Sequence, residues 1–326
     1  MSARLRDLRD FGLGLMAHGL FGVAALLPYR ARVRGLGWFV ARVIAPMAGF
    51  TRIIRDNLAM TCPDLPEAER RRLTRSVPDN AGRTLVEILF RRDLKRYARA
   101  APVSGDEGLA ALEQARAEGR GALLMTAHLG NFMVSGFALR ARGFKIGAIY
   151  RPLNNRWLNA RWVSALQLPL DDIFARERRD MARMIRFLRD GGMVFILNDQ
   201  HSMTGAPLTF FDRTAYTALS AAEMALKYDA LMVPIYSLRQ PDGLNFEVIV
   251  EPPIPHSTPE RMIQQYNDSL ERLVRDNMDQ WLWLHRRWKP RSKRQKPAGT
   301  PPSTQTPSAR ETPAPRSSAA GWSEPS

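Results

Sequence analysis

The chain has 326 residues, 45% of them hydrophobic and 25% charged, and its basic residues outnumber the acidic ones to a net charge of +16. The length admits one large domain or two smaller ones around an ample core, and the single cysteine, Cys62, excludes an internal disulfide and a cysteine metal cluster. The positive excess points to an anionic partner, either nucleic acid or an acidic lipid surface, and composition does not choose between them.

Residues 11–27, FGLGLMAHGLFGVAALL, contain no Lys, Arg, Asp or Glu. The run falls short of the roughly 20 apolar residues a spanning helix needs. Arg4, Arg6 and Arg9 precede it and Arg30, Arg32 and Arg34 follow it, so there is no charge asymmetry to set an orientation. No small-residue cleavage site marks a signal peptide. A second apolar stretch, GLGWFVARVIAPMAGF at 35–50, carries Trp38 and a single charge. Together these predict a membrane-lying helix or shallow hairpin with arginines at headgroup level; the alternative is a buried core helix. Residues 51–120 alternate Arg-rich helical segments. PDLPEAERRRL places acidic residues in the first turn and basic ones later, the order a helix dipole favours, and TLVEILF (84–90) supplies an apolar face.

From residue 121 the pattern becomes α/β. Strands are predicted at 121–127, 145–150, 193–199, 231–238 and 245–251, and continuous runs such as VFIL suit strands buried on both faces. Helices are predicted at 133–143, within 156–190, at 218–230, and as one long helix, continuous or broken, over 259–288. Alternation of the two implies a mostly parallel central sheet flanked by helices. From 291 the chain turns to Pro, Ser, Thr and Ala, a tail that cannot bury enough surface to order itself. The tail holds six basic and two acidic residues, so the body keeps a charge of +12. The expected organisation is an N-terminal membrane-associated region (1–50), a main domain (51–290) and a disordered basic tail (291–326).

Of the five histidines, only His128 and His201 stand just past the carboxyl end of a predicted strand, the end at which open α/β sheets bind ligands. A histidine there can take a proton from a hydroxyl or amine; the alternative is a packed, hydrogen-bonded ring. A pairing of the two around a metal has little support, with no cysteine spacing to complete it.

Five blocks occur in a telling order: HLGNF, YRPLNN, FILNDQH, the G-x-P-x-x-FFDRTAYT stretch, and QWLWLHRRWK. From about residue 11 to 290 the chain resembles the bacterial lipid A biosynthesis acyltransferases, the lauroyl/myristoyl transferase family. The resemblance implies a glycerolipid-acyltransferase-like fold with a groove for an acyl chain. It implies an enzyme on the cytoplasmic face of the bacterial inner membrane that moves a fatty acyl chain from a thioester on acyl carrier protein or coenzyme A to a lipid hydroxyl. Membrane lipids and the acyl carrier would be its partners, with no nucleic acid, and neither a metal nor an organic cofactor would be needed. The family signature is a histidine base followed, after four residues, by a Glu or Asp that holds its other ring nitrogen.

Carried across, His128 is the base, but Met133 stands at the acid position. A thioether cannot accept a strong charge-stabilising hydrogen bond, and replacing the carboxylate of a Ser-His-Asp system by an amide costs roughly 10⁴ in turnover. Three readings follow: another carboxylate substitutes, with Asp199 and Asp212 as candidates; His128 works alone and slowly; or the chain is a non-catalytic lipid-binding relative. Arg151 matches an arginine expected to grip phosphate, which a guanidinium fork suits. A further family arginine finds no clear match in VSALQLPLDD. Asn131, Asp199, Gln200 and His201 occupy substrate-contacting blocks, His201 in place of a family acid. Gly205, Phe210, Phe211 and Thr217 match the loop that follows, where the phenylalanines are expected to shape an apolar wall. Trp281, Trp283 and Trp288, interleaved with basic residues, are expected at a membrane interface.

Overall fold

The computed structural model describes residues 21–290, together with Asp7, Phe11, Gly12, Gly14, Leu15 and Gly19. Helix α1 (Tyr29–Phe39) passes through a π turn at Val40–Ile44 and a short turn at Ala45–Met47 into α2 (Phe50–Thr61), α3 (Glu67–Leu89) and α4 (Arg91–Ala100). Then come β1 (Val103–Ser104), α5 (Asp106–Ala117), β2 (Ala122–Thr126), α6 (Met133–Ala141), β3 (Ile146–Tyr150) and α7 (Arg156–Gln167). The chain continues through β4 (Asp172–Ala175), α8 (Arg178–Arg189), β5 (Met193–Leu197) and the hairpin β6 (Ala206–Phe210) and β7 (Arg213–Thr217). It closes with α9 (Ser220–Tyr228), β8 (Leu231–Arg239), β9 (Phe246–Val250), α10 (Pro259–Asp276) and a 3₁₀ turn at Met278–Gln280.

The central sheet has seven strands in the order β1-β9-β8-β2-β5-β3-β4. The five from β8 to β4 are parallel, and β9 runs antiparallel to β8. All five strands expected from apolar runs are present, and the mostly parallel α/β architecture with them. Along β2 the side chains alternate faces: Leu123 and Met125 enter one core, Ala122 and Leu124 the other. Helices cover both sides, which is why these strands are apolar throughout rather than alternating.

Three expectations are corrected. The 156–190 region is two helices with β4 between them; its four residues, DIFA, are too short a run to stand out between charged neighbours. The β6–β7 hairpin was not anticipated. The long helix at 259–288 stops at Asp276, and the following segment folds back into the core.

The helical N-terminal region packs on α3 through a close approach of glycines. A Cβ on Gly82 would stand 2.8 Å from Val40 Cβ and 3.1 Å from Gly37 Cα, so neither position accepts a side chain without moving the helices apart. No single helix among the described residues is long and apolar enough to cross a membrane. One pair, Tyr29–Met47 and Phe50–Thr61, passes by length and composition but is bent by 87°. Val23, Leu26, Leu27, Trp38, Ile44 and Met47 are exposed there. Arg32, expected at headgroup level, is instead buried. Its guanidinium donates to the carbonyls of Ala24, Ala25 and Leu27 and to Asp93, closing the end of the preceding helical turn. Arg4, Arg6 and Arg9, and the tail expected to be disordered, lie outside the described residues.

Candidate active site

Strands β2 and β5 pair in parallel with Thr126 opposite Leu197. Two residues beyond that last pair, each strand delivers its polar residue: His128 from β2 and Asp199 from β5. Their side chains meet, with His128 Nδ1 2.8 Å from Asp199 Oδ1. The backbone N–H of His128 donates to Asp199 Oδ2 at 2.9 Å, and the Trp281 indole donates to the same oxygen at 3.1 Å. Burial pushes the Asp199 carboxyl up. The attraction an imidazolium at His128 would exert, the hydrogen bonds from its ring and backbone, and the Trp281 indole outweigh it and leave the group below the ordinary carboxylate range. Asp199 is therefore an ionised, fully engaged acceptor, and it fixes the His128 ring with Nδ1 protonated and Nε2 available as a base. Asp212, the other carboxylate considered from sequence, sits 90% exposed at the tip of the β6–β7 hairpin beside Arg275.

The His128 side chain is 28% exposed and lines a cavity of ≈ 530 Å³. The cavity runs between α6, α7 and the carboxyl ends of β3, β4 and β5. Its depth is apolar, formed by Met133, Gly136, Leu166, Leu170, Ile173 and Phe195. Its mouth carries Arg151 and Arg176, both exposed. The two arginines follow directly on Tyr150 and Ala175, the last paired residues of the adjacent strands β3 and β4. The register thus sets two guanidinium-bearing positions side by side. Arg176 was missed in the sequence because β4 was missed; the signal was the apolar IFA between DD and RERR.

Met133, at the position of the expected acid, is the first residue of α6 and is buried in the cavity wall. Gln200 lines the cavity mouth. His201 does not line it: its backbone N–H donates to His285 Nε2 at 3.0 Å and its ring stands edge-on to Tyr216. Burial, and the positive charges of Arg287 and Lys289, lower its pKa. Among the described residues no group of three or more His, Cys, Asp or Glu could hold a metal.

Asn131 stands behind the site. Its amide donates to Glu87 Oε2 at 2.8 Å, and its Oδ1 accepts from the Met133 N–H that opens α6. Glu87, fully buried, forms a two-pronged ion pair with Arg239 at 2.5 and 2.8 Å. Thr84 accepts from Arg239 and donates to the Gly130 carbonyl. Gly130 adopts φ +57, and a Cβ there would lie 1.9 Å from the Ser237 carbonyl oxygen, so only glycine allows the loop to seat against β8. This network pins the segment that carries His128, and the HLGNF block is legible as one rigid unit.

The tryptophans expected at a membrane interface are in the core. Trp281 and Trp283 are almost wholly buried. They meet each other and the Phe210, Phe211 and Trp288 rings at centroid distances of 4.9–6.0 Å, an edge-on and stacked cluster of the kind aromatic quadrupoles favour. Phe210 and Phe211 thus form an apolar wall, as anticipated, but one that buttresses Trp281 rather than lining the cavity.

Residues 1–290 match the family described as bacterial lipid A biosynthesis acyltransferase. The chain is 28% identical over 299 residues to the lipid A biosynthesis lauroyltransferase of Escherichia coli K12, an alignment covering 87% of this chain and 92% of that protein. It is 24% identical over 292 residues to a lipid A biosynthesis acyltransferase of Haemophilus influenzae, covering 83% and 88%. It is also 24% identical over 249 residues to the lipid A biosynthesis palmitoleoyltransferase of E. coli K12, covering 73% and 78%.

Proposed function

Because the chain belongs to the bacterial lipid A biosynthesis acyltransferase family, we propose that it transfers a fatty acyl chain from a carrier thioester to a hydroxyl of lipid A or a related glycolipid, with His128 as general base. The observation that carries this reading is the 2.8 Å contact between His128 Nδ1 and Asp199, on a ring that opens into the ≈ 530 Å³ cavity. Nε2 takes the proton of the acceptor hydroxyl as its oxygen attacks the thioester carbonyl. The tetrahedral adduct collapses, the C–S bond breaks, and the imidazolium returns the proton to the departing thiolate. Asp199 stabilises the imidazolium through the intervening step. The donor, acyl carrier protein or coenzyme A, brings its own activation as a thioester. Its chain lies in the apolar depth beside Met133 and Leu170. Arg151 and Arg176 hold a phosphate of the carrier or the lipid at the mouth, which charge-assisted hydrogen bonds suit, and Gln200 adds a donor there.

The exposed apolar side chains between Val23 and Met47, with the basic body, support attachment to the cytoplasmic face of the inner membrane, where lipid substrate and soluble donor meet. The reading as a non-catalytic relative rested on Met133. Asp199, at hydrogen-bond distance from the His128 ring, supports the catalytic reading over it.

The test is acyl transfer in membranes containing the protein, with labelled acyl-carrier thioester and a glycolipid acceptor. His128→Ala is expected to lower turnover at least about 10³-fold, by loss of general-base catalysis and of the positioned ring. Equal transfer by wild type and variant would overturn the proposal.

A further inference from the structure

His128 borders two cavities. The second, of ≈ 190 Å³, lies between α3 and the turn at 278–280, and His128, Phe132 and Trp162 line both. The Phe132 and His128 rings stand edge to face at 5.6 Å. Phe132 and Trp162 thus form a partition with the imidazole at its edge. The smaller cavity is apolar: Val77, Ala81, Leu85, Ile88 and Leu282 contribute hydrocarbon. Its polar members are already engaged, Asn80 with Asp279, Thr84 with the Gly130 carbonyl and Gln280 with Arg239. With these amide and hydroxyl donors committed and the rest of the lining mostly hydrocarbon, the chemistry that fits is a hydrocarbon chain. Leu85, one of its lining residues, is 47% exposed, so the cavity wall reaches the surface there.

We propose that this smaller cavity receives the hydrocarbon arm of the acceptor lipid, so that donor and acceptor chains approach His128 from opposite sides of the Phe132–Trp162 partition. The inference rests on the acyl-transfer reading and assigns its second substrate. A transferred chain must be enclosed up to its carbonyl carbon, which calls for the larger cavity. An acceptor that stays in the bilayer needs only to seat the arm next to its reacting hydroxyl, for which ≈ 190 Å³ is of the right order. The position of α7 agrees. It supplies Trp162 to both cavities, while its Trp157 and Arg161 pack on Phe11 and Phe21 of the apolar N-terminal segment. A lipid held at that segment has the partition within reach.

Two measurements test this. Ala81→Phe fills the smaller cavity from the α3 side. It is expected to raise the acceptor KM about tenfold, a loss of apolar seating worth one or two methylenes, while the donor KM stays within about twofold. A rise confined to the donor KM, or no change in either, would overturn the assignment. The second measurement needs no turnover and no variant. A phosphoglycolipid bearing a diazirine at the end of its acyl arm is irradiated with the wild-type protein, and the adducts are mapped by mass spectrometry. Adducts on Leu85 and Ile88 are expected. Adducts on Leu166 and Leu170, or on neither pair, would overturn it. Should His128→Ala transfer acyl chains as well as wild type, the proposed function fails while the crosslinking still reports where the lipid arm lies.

Discussion

The segments that follow β2 and β5 leave neighbouring parallel strands at the same level, yet they are held in different ways. After β2 the backbone does the holding: Gly130 N–H donates to Gln280, Asn131 N–H donates to Ser237, and the Gly130 carbonyl accepts from Thr84. The His128 ring is left partly open to the cavity. After β5 the side chain does the holding: Asp199 is buried and accepts three hydrogen bonds. One segment presents a partly exposed imidazole on a rigid mount, and the other supplies a carboxylate buried away from solvent. Spatial register, not sequence spacing, decides which carboxylate serves a given histidine.

The strongest way to break this comparison is Asp199→Asn. An amide can offer its oxygen to the backbone His128 and Trp281 N–H groups with NH₂ toward the ring, or its oxygen to the ring with NH₂ against those two donors, but it cannot accept from all three. Either arrangement loses the charge that stabilises the imidazolium. Turnover is expected to fall by roughly 10⁴, as in the amide variant of a Ser-His-Asp site. A fall of less than about tenfold in single-turnover transfer would mean that Asp199 only fills space. Stability carries a sign as well. The folded carboxyl titrates below its ordinary value, so the stability it contributes is complete above the unfolded pKa of about 3.9 and is lost as pH falls through the lower folded value. Wild type and variant should therefore differ in denaturant midpoint at neutral pH and converge only in strong acid.

Next in size is Glu87→Ala, which tests the mount after β2. It leaves the buried Arg239 charge uncompensated, and breaking such a pair costs about 3–5 kcal/mol. It also frees the Asn131 amide, so a loss in kcat beyond the loss of folded protein is expected. Chemical denaturation gives the first quantity and kcat per folded molecule the second. A stability within about 1 kcal/mol of wild type would remove the ion pair from the account.

Much of this was legible in the sequence. Continuous apolar runs located five strands because strands covered on both faces need no alternation. The HLGNF block located the ring, and the FILNDQH block located the acid, though only as one of two candidates. Register was not legible: nothing local says that β2 and β5 are neighbours, and with a different strand order Asp199 would face another partner. The tryptophans near 281–288 misled for a related reason. Aromatic residues interleaved with arginines read as interfacial, but the chain folds back after Asp276, and the segment's charged side chains reach outward or, as with Arg287, bond inside to the Tyr216 carbonyl and the Thr217 hydroxyl. Arg176 was invisible because a four-residue strand has too little pattern to announce itself.

A smaller effect is expected just beyond the β2 segment. Gly136 lines the larger cavity, where a Cβ would lie 3.3 Å from Pro169 Cβ and 3.4 Å from Leu170. Gly136→Leu should fill the depth of the cavity and shift donor preference to shorter chains. Each excluded methylene is worth about 1–3 kcal/mol, or roughly 10–200-fold in kcat/KM. Competition between thioesters of different length measures the shift; an unchanged preference would place the donor chain elsewhere.

The smallest effect is expected where the sequence raised the sharpest question. Met133→Glu restores the spacing of the family signature, and from sequence alone it could go either way: a gain if the site lacks its orienting acid, a loss if the pocket is built around methionine. The structure argues against a gain. The Nδ1 of His128 already faces Asp199 at 2.8 Å, so a second carboxylate finds no ring nitrogen to hold except the one that must stay open as base. In the proposed mechanism that second nitrogen, Nε2, is the base. The new side chain would also stand in an apolar wall, where an unpaired charge is costly and a carboxyl tends to stay protonated instead. Activity is expected to remain within about tenfold of wild type, and on the lower side, through weaker seating of the donor chain. A gain of tenfold or more would mean that Asp199 orients the ring without supplying enough charge, and that the two segments do not divide the work in the way their hydrogen bonds imply.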